Sequence, residues 1–147
     1  MATRLPTFTD ISPTGGLDLD ENCAVKNFLG KSLEEAGALF MENALNYTGD
    51  LMWMGEKAFA FYLPALRIYL ESPESCDDSD VVNSMLSIVE HRLEWEPSSL
   101  VLGRESVLWT LYYFRDHYER FSPHPEIDRN LPTKLNALIE RVELLEG

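Results

Sequence analysis

Three histidines, two cysteines and two carboxylate clusters are the side chains from which this 147-residue chain could build a reactive site. His91 and Glu94 lie one helical turn apart and offer two metal ligands, too few to close a site. The residues three before His91, His117 and His124 are Ile88, Phe114 and Phe121. The Glu-x-x-His pattern of di-iron bundles is therefore missing, and so is HExxH. Cys23 and Cys76 have no metal-ligand or CxxC spacing, and they are expected as buried thiols in a reducing compartment. Asp77 and Asp78 beside Cys76 disfavour its thiolate and argue against a nucleophile. No GxxxxGK[ST], GxGxxG or GxSxG occurs. The expectation is a non-catalytic chain with no metal and no cofactor.

Two carboxylate clusters carry more information. Asp10, Asp18, Asp20 and Glu21 form the first. Glu71, Glu74, Asp77, Asp78 and Asp80 form the second, five acids in ten residues with no base among them. The second lacks the glycine and distal glutamate of a calcium loop. Like charges along one loop repel, and a cationic partner relieves that repulsion. These five residues are the candidate partner-binding surface. The plainer alternative is a solvated loop feeding a helix N-terminus.

The overall charge points the same way. Asp and Glu number 25 against 12 Lys and Arg, a formal net charge of −13. No stretch gathers three closely spaced basic residues without acidic neighbours, so nucleic acid and anionic membrane surfaces are poor partners. A basic protein remains compatible. Ala58 to Leu66, the longest charge-free apolar run, is far short of the ~20 residues that span a bilayer. The first residues lack the apolar core of a signal peptide, so the chain reads as cytoplasmic.

Aromatic residues offer a competing site. Trp53, Phe59, Phe61, Tyr62 and Tyr69 fall within 17 residues, and Trp109, Tyr112, Tyr113 and Tyr118 within ten. Trp53, Tyr62 and Trp109 could line a ligand pocket between helices, although aromatics at helical spacing fill cores equally well.

The elements that must position these groups are helical. Residues 1–31, broken by Pro6, Pro13, Gly15, Gly16 and Gly30, read as an irregular N-terminal arm whose Ala24 to Leu29 could be extended. Ser32-Leu33-Glu34-Glu35 is a capping box that opens a helix with Leu33, Ala36, Phe40, Ala44 and Tyr47 on one face. Thr48-Gly49-Asp50 is expected to end it. Leu51 to Ser72 is apolar on all sides and predicts an enclosed segment in which Pro64 kinks or restarts the helix. Asp78 or Ser79 caps a third helix burying Val82, Met85, Leu86, Val89 and Leu93, with Glu90, Arg92 and Glu94 facing water and Pro97 closing it. A fourth runs from about Arg104 to Phe121, stopped by Ser122-Pro123-His124-Pro125. Leu131-Pro132 opens the last, with Leu135, Leu138, Ile139, Val142 and Leu145 in register. The sum is all-α: a single compact domain of five or six helices over 32–147, with the arm 1–31 laid on it.

Phe61-Tyr62-Leu63-Pro64-Ala65, preceded by Leu51-Met52-Trp53-Met54-Gly55 and Ala58-Phe59, resembles a motif of small uncharacterised bacterial proteins. Some of these resemble immunity proteins of bacterial toxin systems. The resemblance spans about residues 29–72, implies a core proline at a helix end or kink, and carries over no binding position. It implies a non-catalytic inhibitor of a basic partner. The alternative is a small-molecule-binding or enzymatic helical domain with the aromatic pocket.

Overall fold

The computed structural model describes residues 4–121 and 129–146, and every regular element among them is helical. In chain order these are α1 (Phe8–Ile11), α2 (Leu19–Phe28), α3 (Leu33–Trp53), α4 (Glu56–Leu70), α5 (Ser79–Trp95), α6 (Pro97–Leu102), α7 (Arg104–Asp116) and α8 (Leu131–Glu143). Short 3-10 turns at Pro73–Ser75 and Tyr118–Phe121 join them. The expected stop at Ser122 to Pro125, His124 included, lies outside the described residues.

The fold is built around α3 and α4, which share its most extensive contact. Helices α2 and α5 lie against α3, α6 and α7 against α4, and α8 against α7 and α5. Phe28, Phe40, Phe59, Tyr62, Leu66, Met85 and Leu111 are wholly buried between them. The Phe28 ring meets Tyr62 at 5.0 Å and Phe40 at 5.7 Å, so α2, α3 and α4 join through one aromatic cluster. The Tyr62 hydroxyl donates to the carbonyls of Phe28 (2.7 Å) and Lys31 (2.9 Å), satisfying the C-terminal end of α2. Burial pushes the Tyr62 phenol up to about 12.

The sequence reading is corrected at several joints. Residues 19–28 of the expected arm are helix, not extended chain. Asp18 caps α2 by accepting from the Glu21 amide, and Gly30 takes φ +80° just past its end. Leu19 is exposed and only Ala24 and Phe28 are buried, so the apolar period is too thin to read. The Ser32–Glu35 capping box forms as expected. Helix α3 does not stop at Gly49. It breaks earlier, at Asn43 (φ −159°, ψ 81°), whose side chain accepts from the Asn46 amide and caps the continuation to Trp53. Thr48 and Asp50 are buried inside that continuation.

Pro64 is the ninth residue of α4 and does not start a helix. Leu63 beside it is buried and Phe61 is half-buried, which places the proline within the packed region. Pro97 closes α5 and at once opens α6, a short helix the sequence pattern did not show. Helix α7 ends at Asp116, and Tyr118 belongs to the following 3-10 turn. No described helix is long and apolar enough to cross a membrane.

Candidate functional site

The loop Glu71 to Asp80 leaves α4 and delivers the chain to α5. Its acids do not all serve one purpose. Asp78 is the N-cap of α5, its Oδ1 accepting from the Val81 amide at 3.1 Å. Its Oδ2 accepts from the Tyr69 hydroxyl at 2.5 Å. Burial, and then the bond to Asp78, pushes the Tyr69 phenol upward. Glu71 accepts from Arg67 Nε at 2.8 Å on the surface. Glu74, Asp77 and Asp80 are exposed.

The base that the loop's own sequence lacks comes from far along the chain. Arg120 donates to the Leu70 carbonyl (3.1 Å), the Ser75 hydroxyl (2.6 Å) and the Ser72 carbonyl (2.5 Å). The Asp77 amide donates to the Arg120 carbonyl at 3.0 Å. Ser75 is fully buried and its hydroxyl donates to the Leu70 carbonyl at 2.8 Å. Asp77 adopts φ +67°, a conformation aspartate tolerates better than most residues. The loop is thus an ordered scaffold, cross-braced beneath and acidic above.

The first acid cluster is structural in three of its four members. Asp10 closes a capping box with Thr7, which holds its carboxyl below the usual range, and Asp18 caps α2. Glu21 Oε1 accepts from the Ser12 and Thr14 hydroxyls and from the Thr14 amide. Asp20 is exposed.

Trp53, Tyr62 and Trp109 do not share a pocket. Tyr62 is wholly enclosed, with its hydroxyl on two carbonyls. Trp109 lines a 110 Å³ cleft with Pro64 and Arg67, whose guanidinium sits 4.4 Å from the indole centroid. Trp109 also stacks on Tyr113 (4.9 Å), which in turn stacks on His117. Trp53 lines a separate cleft of 210 Å³ with His91, Arg92, Trp95 and Glu96.

Arg92 is the residue the sequence placed wrongly. It is 2% exposed, not solvated. Nη2 donates to the carbonyls of Leu51 and Met54, both at 2.7 Å, and Nη1 to Glu96 at 2.9 Å. Its guanidinium lies 4.0 Å from the Phe59 ring centroid. Burial draws it down to about 10, against the opposing pull of Glu96. The sequence signal for it was its place three and four residues after the apolar Val89 and Ile88, in the last turn of a helix before a proline. Cys23 and Cys76, expected to be buried, are both exposed free thiols. Among the described residues no three His, Cys, Asp or Glu side chains converge to hold a metal ion. Compared with protein-family models, with curated proteins and with solved structures, the chain matches none of them.

Proposed function

We propose that the chain is a non-catalytic binding protein that covers a basic protein partner with an acidic face, in the manner of immunity proteins. The carrying observation is the braced loop. Arg120, Ser75 and Tyr69 fix its backbone from below, while Glu74, Asp77 and Asp80 are presented outward. Ordering before association lowers the entropic cost of binding. The net charge of −13 speeds encounter with a cationic surface and repels anionic ones. The enclosed Tyr62 and the separation of the two tryptophan clefts favour this reading over a central aromatic pocket.

The test is capture on the immobilised chain at low and high salt, comparing the parent with the triple variant Glu74→Gln, Asp77→Asn, Asp80→Asn. Asp78 is kept because it caps α5. The parent is expected to retain a basic protein that high salt releases, and the variant to retain several-fold less. Equal retention by both would remove the loop from the interface.

A further inference from the structure

The second tryptophan cleft lies between the C-terminal ends of two helices. Helix α3 ends at Trp53 and α5 at Trp95. Trp95 is 71% exposed and Trp53 39%, unusual values for the largest apolar side chain. His91 meets Trp53 at 5.5 Å with the rings tilted by 67°, so the indole is propped at the cleft wall. Glu21 and Glu96 are the two carboxylates of the lining. The guanidinium among the described lining residues, Arg92, pairs with Glu96 at 2.9 Å and otherwise lies on the carbonyls of Leu51 and Met54 and on Phe59. Two carboxylates against that cation leave the cleft with net negative charge. The C-terminal ends of both helix dipoles add to it.

Exposed indoles beside carboxylates in a cleft of 210 Å³ are suited to one kind of group. An aromatic face attracts a cation through its quadrupole, and guanidinium groups stack on indoles while hydrogen-bonding to carboxylates. Glu21 is held by Ser12 and Thr14 and Glu96 by Arg92, so the lining carries one carboxylate charge in surplus, which a cation neutralises and a neutral apolar group would leave desolvated. An anion would meet like charge. We infer that this cleft is a receptor for a single cationic side chain, an arginine or lysine, presented by the basic partner. The inference rests on the reading of the chain as a binding protein for such a partner and adds a second contact. The 17 residues of α5 separate it from the acidic loop by about 25 Å.

The experiment is an NMR titration of the full chain with Nα-acetyl-arginine methylamide, using its neutral isostere Nα-acetyl-citrulline methylamide as control. The arginine probe is expected to shift the indole N–H signals of Trp53 and Trp95 saturably in the millimolar range, leaving Trp109 unmoved. Citrulline should bind several-fold more weakly. Trp95→Ala should weaken the arginine probe about three- to fivefold, as loss of one cation–π face does. Glu21→Gln, which keeps an acceptor for Ser12 and Thr14, should weaken it as well. No saturable shift, equal binding of citrulline, or full affinity in Trp95→Ala would each overturn the inference. The acidic-loop triple variant separates the two readings. It should bind the arginine probe as the parent does even where its capture of a basic protein is lost, and an indole response that fell with it would contradict an independent receptor.

Discussion

Replacing Arg92 by methionine keeps the helix propensity and much of the side-chain volume of α5 but strips donors from two buried carbonyls at the end of α3. Each buried carbonyl left without its donor costs about 1–3 kcal/mol. Chemical denaturation should show that loss, and a change below 1 kcal/mol by the same measure (about the size of a surface substitution) would mean that Arg92 does not join α5 to α3. Arg92 also marks where sequence reading stops. It continues the buried row Val81, Met85 and Ile88 on the helix wheel, a signal overridden because arginine is rarely buried, and the α3 carbonyls explain how the charge is accommodated there. Asp50 permits a pH test. Burial raises its carboxyl above the ordinary aspartate range, with the hydrogen bond from Asn27 opposing. The folded chain therefore holds that proton more tightly than the unfolded chain, so this contribution to stability grows as pH falls from neutral through the folded pKa. Asp50→Asn retains an acceptor for Asn27 and removes the ionisation. The variant should melt higher than the parent at pH 7, with the advantage shrinking toward about pH 4. An advantage independent of pH would contradict the assignment.

Helices with a broad apolar stripe were legible because periodicity reports burial directly. Helix α8 buries Leu135, Leu138, Ile139 and Val142 in the expected register. The capping box at Ser32 gave the start of α3 to the residue. Where an element is held by caps more than by its stripe, as α2 is by Asp18 and Tyr62, the period fails and only the Asp18 to Gly30 punctuation remains. Gly49 misled because glycine inside a helix looks like a terminus while buried neighbours carry the helix through. Gly55 makes a sharper test of how elements meet. A Cβ there would lie 2.3 Å from the Asp10 carbonyl oxygen and 2.9 Å from Pro13. The Gly55 amide also donates to the Ile11 carbonyl at 3.2 Å. Gly55→Ala should displace α1 from α4 and cost about 1–3 kcal/mol. Amide exchange should rise in residues 7–16 and stay protected in α5. Unchanged protection near Ile11 would show that the contact is not needed.

At the scale of the whole molecule, charge is the property the sequence declared most openly, and the fold determines how it is used. Asp10, Asp18 and Asp78 cap helices, and Glu71 and Glu96 pair with arginines. The cap role of Asp78 was legible from its place before α5, whereas the roles of Asp10 and Asp18 were not, because the arm showed no helical period. The acids left over still give the molecule strong self-repulsion at a net charge of −13, so added salt should raise its melting temperature by a few degrees. The measurement closest to the central claim is the association rate of the captured basic partner across ionic strength. Charges at the rim of an interface act mainly on encounter. The parent should associate fast at low salt and lose rate steeply as salt rises. The variant Glu74→Gln, Asp77→Asn, Asp80→Asn should associate more slowly with a flatter salt dependence, while its stability stays within about 0.5 kcal/mol of the parent. Equal rates and equal salt slopes for the two proteins would contradict the acidic loop as the docking surface.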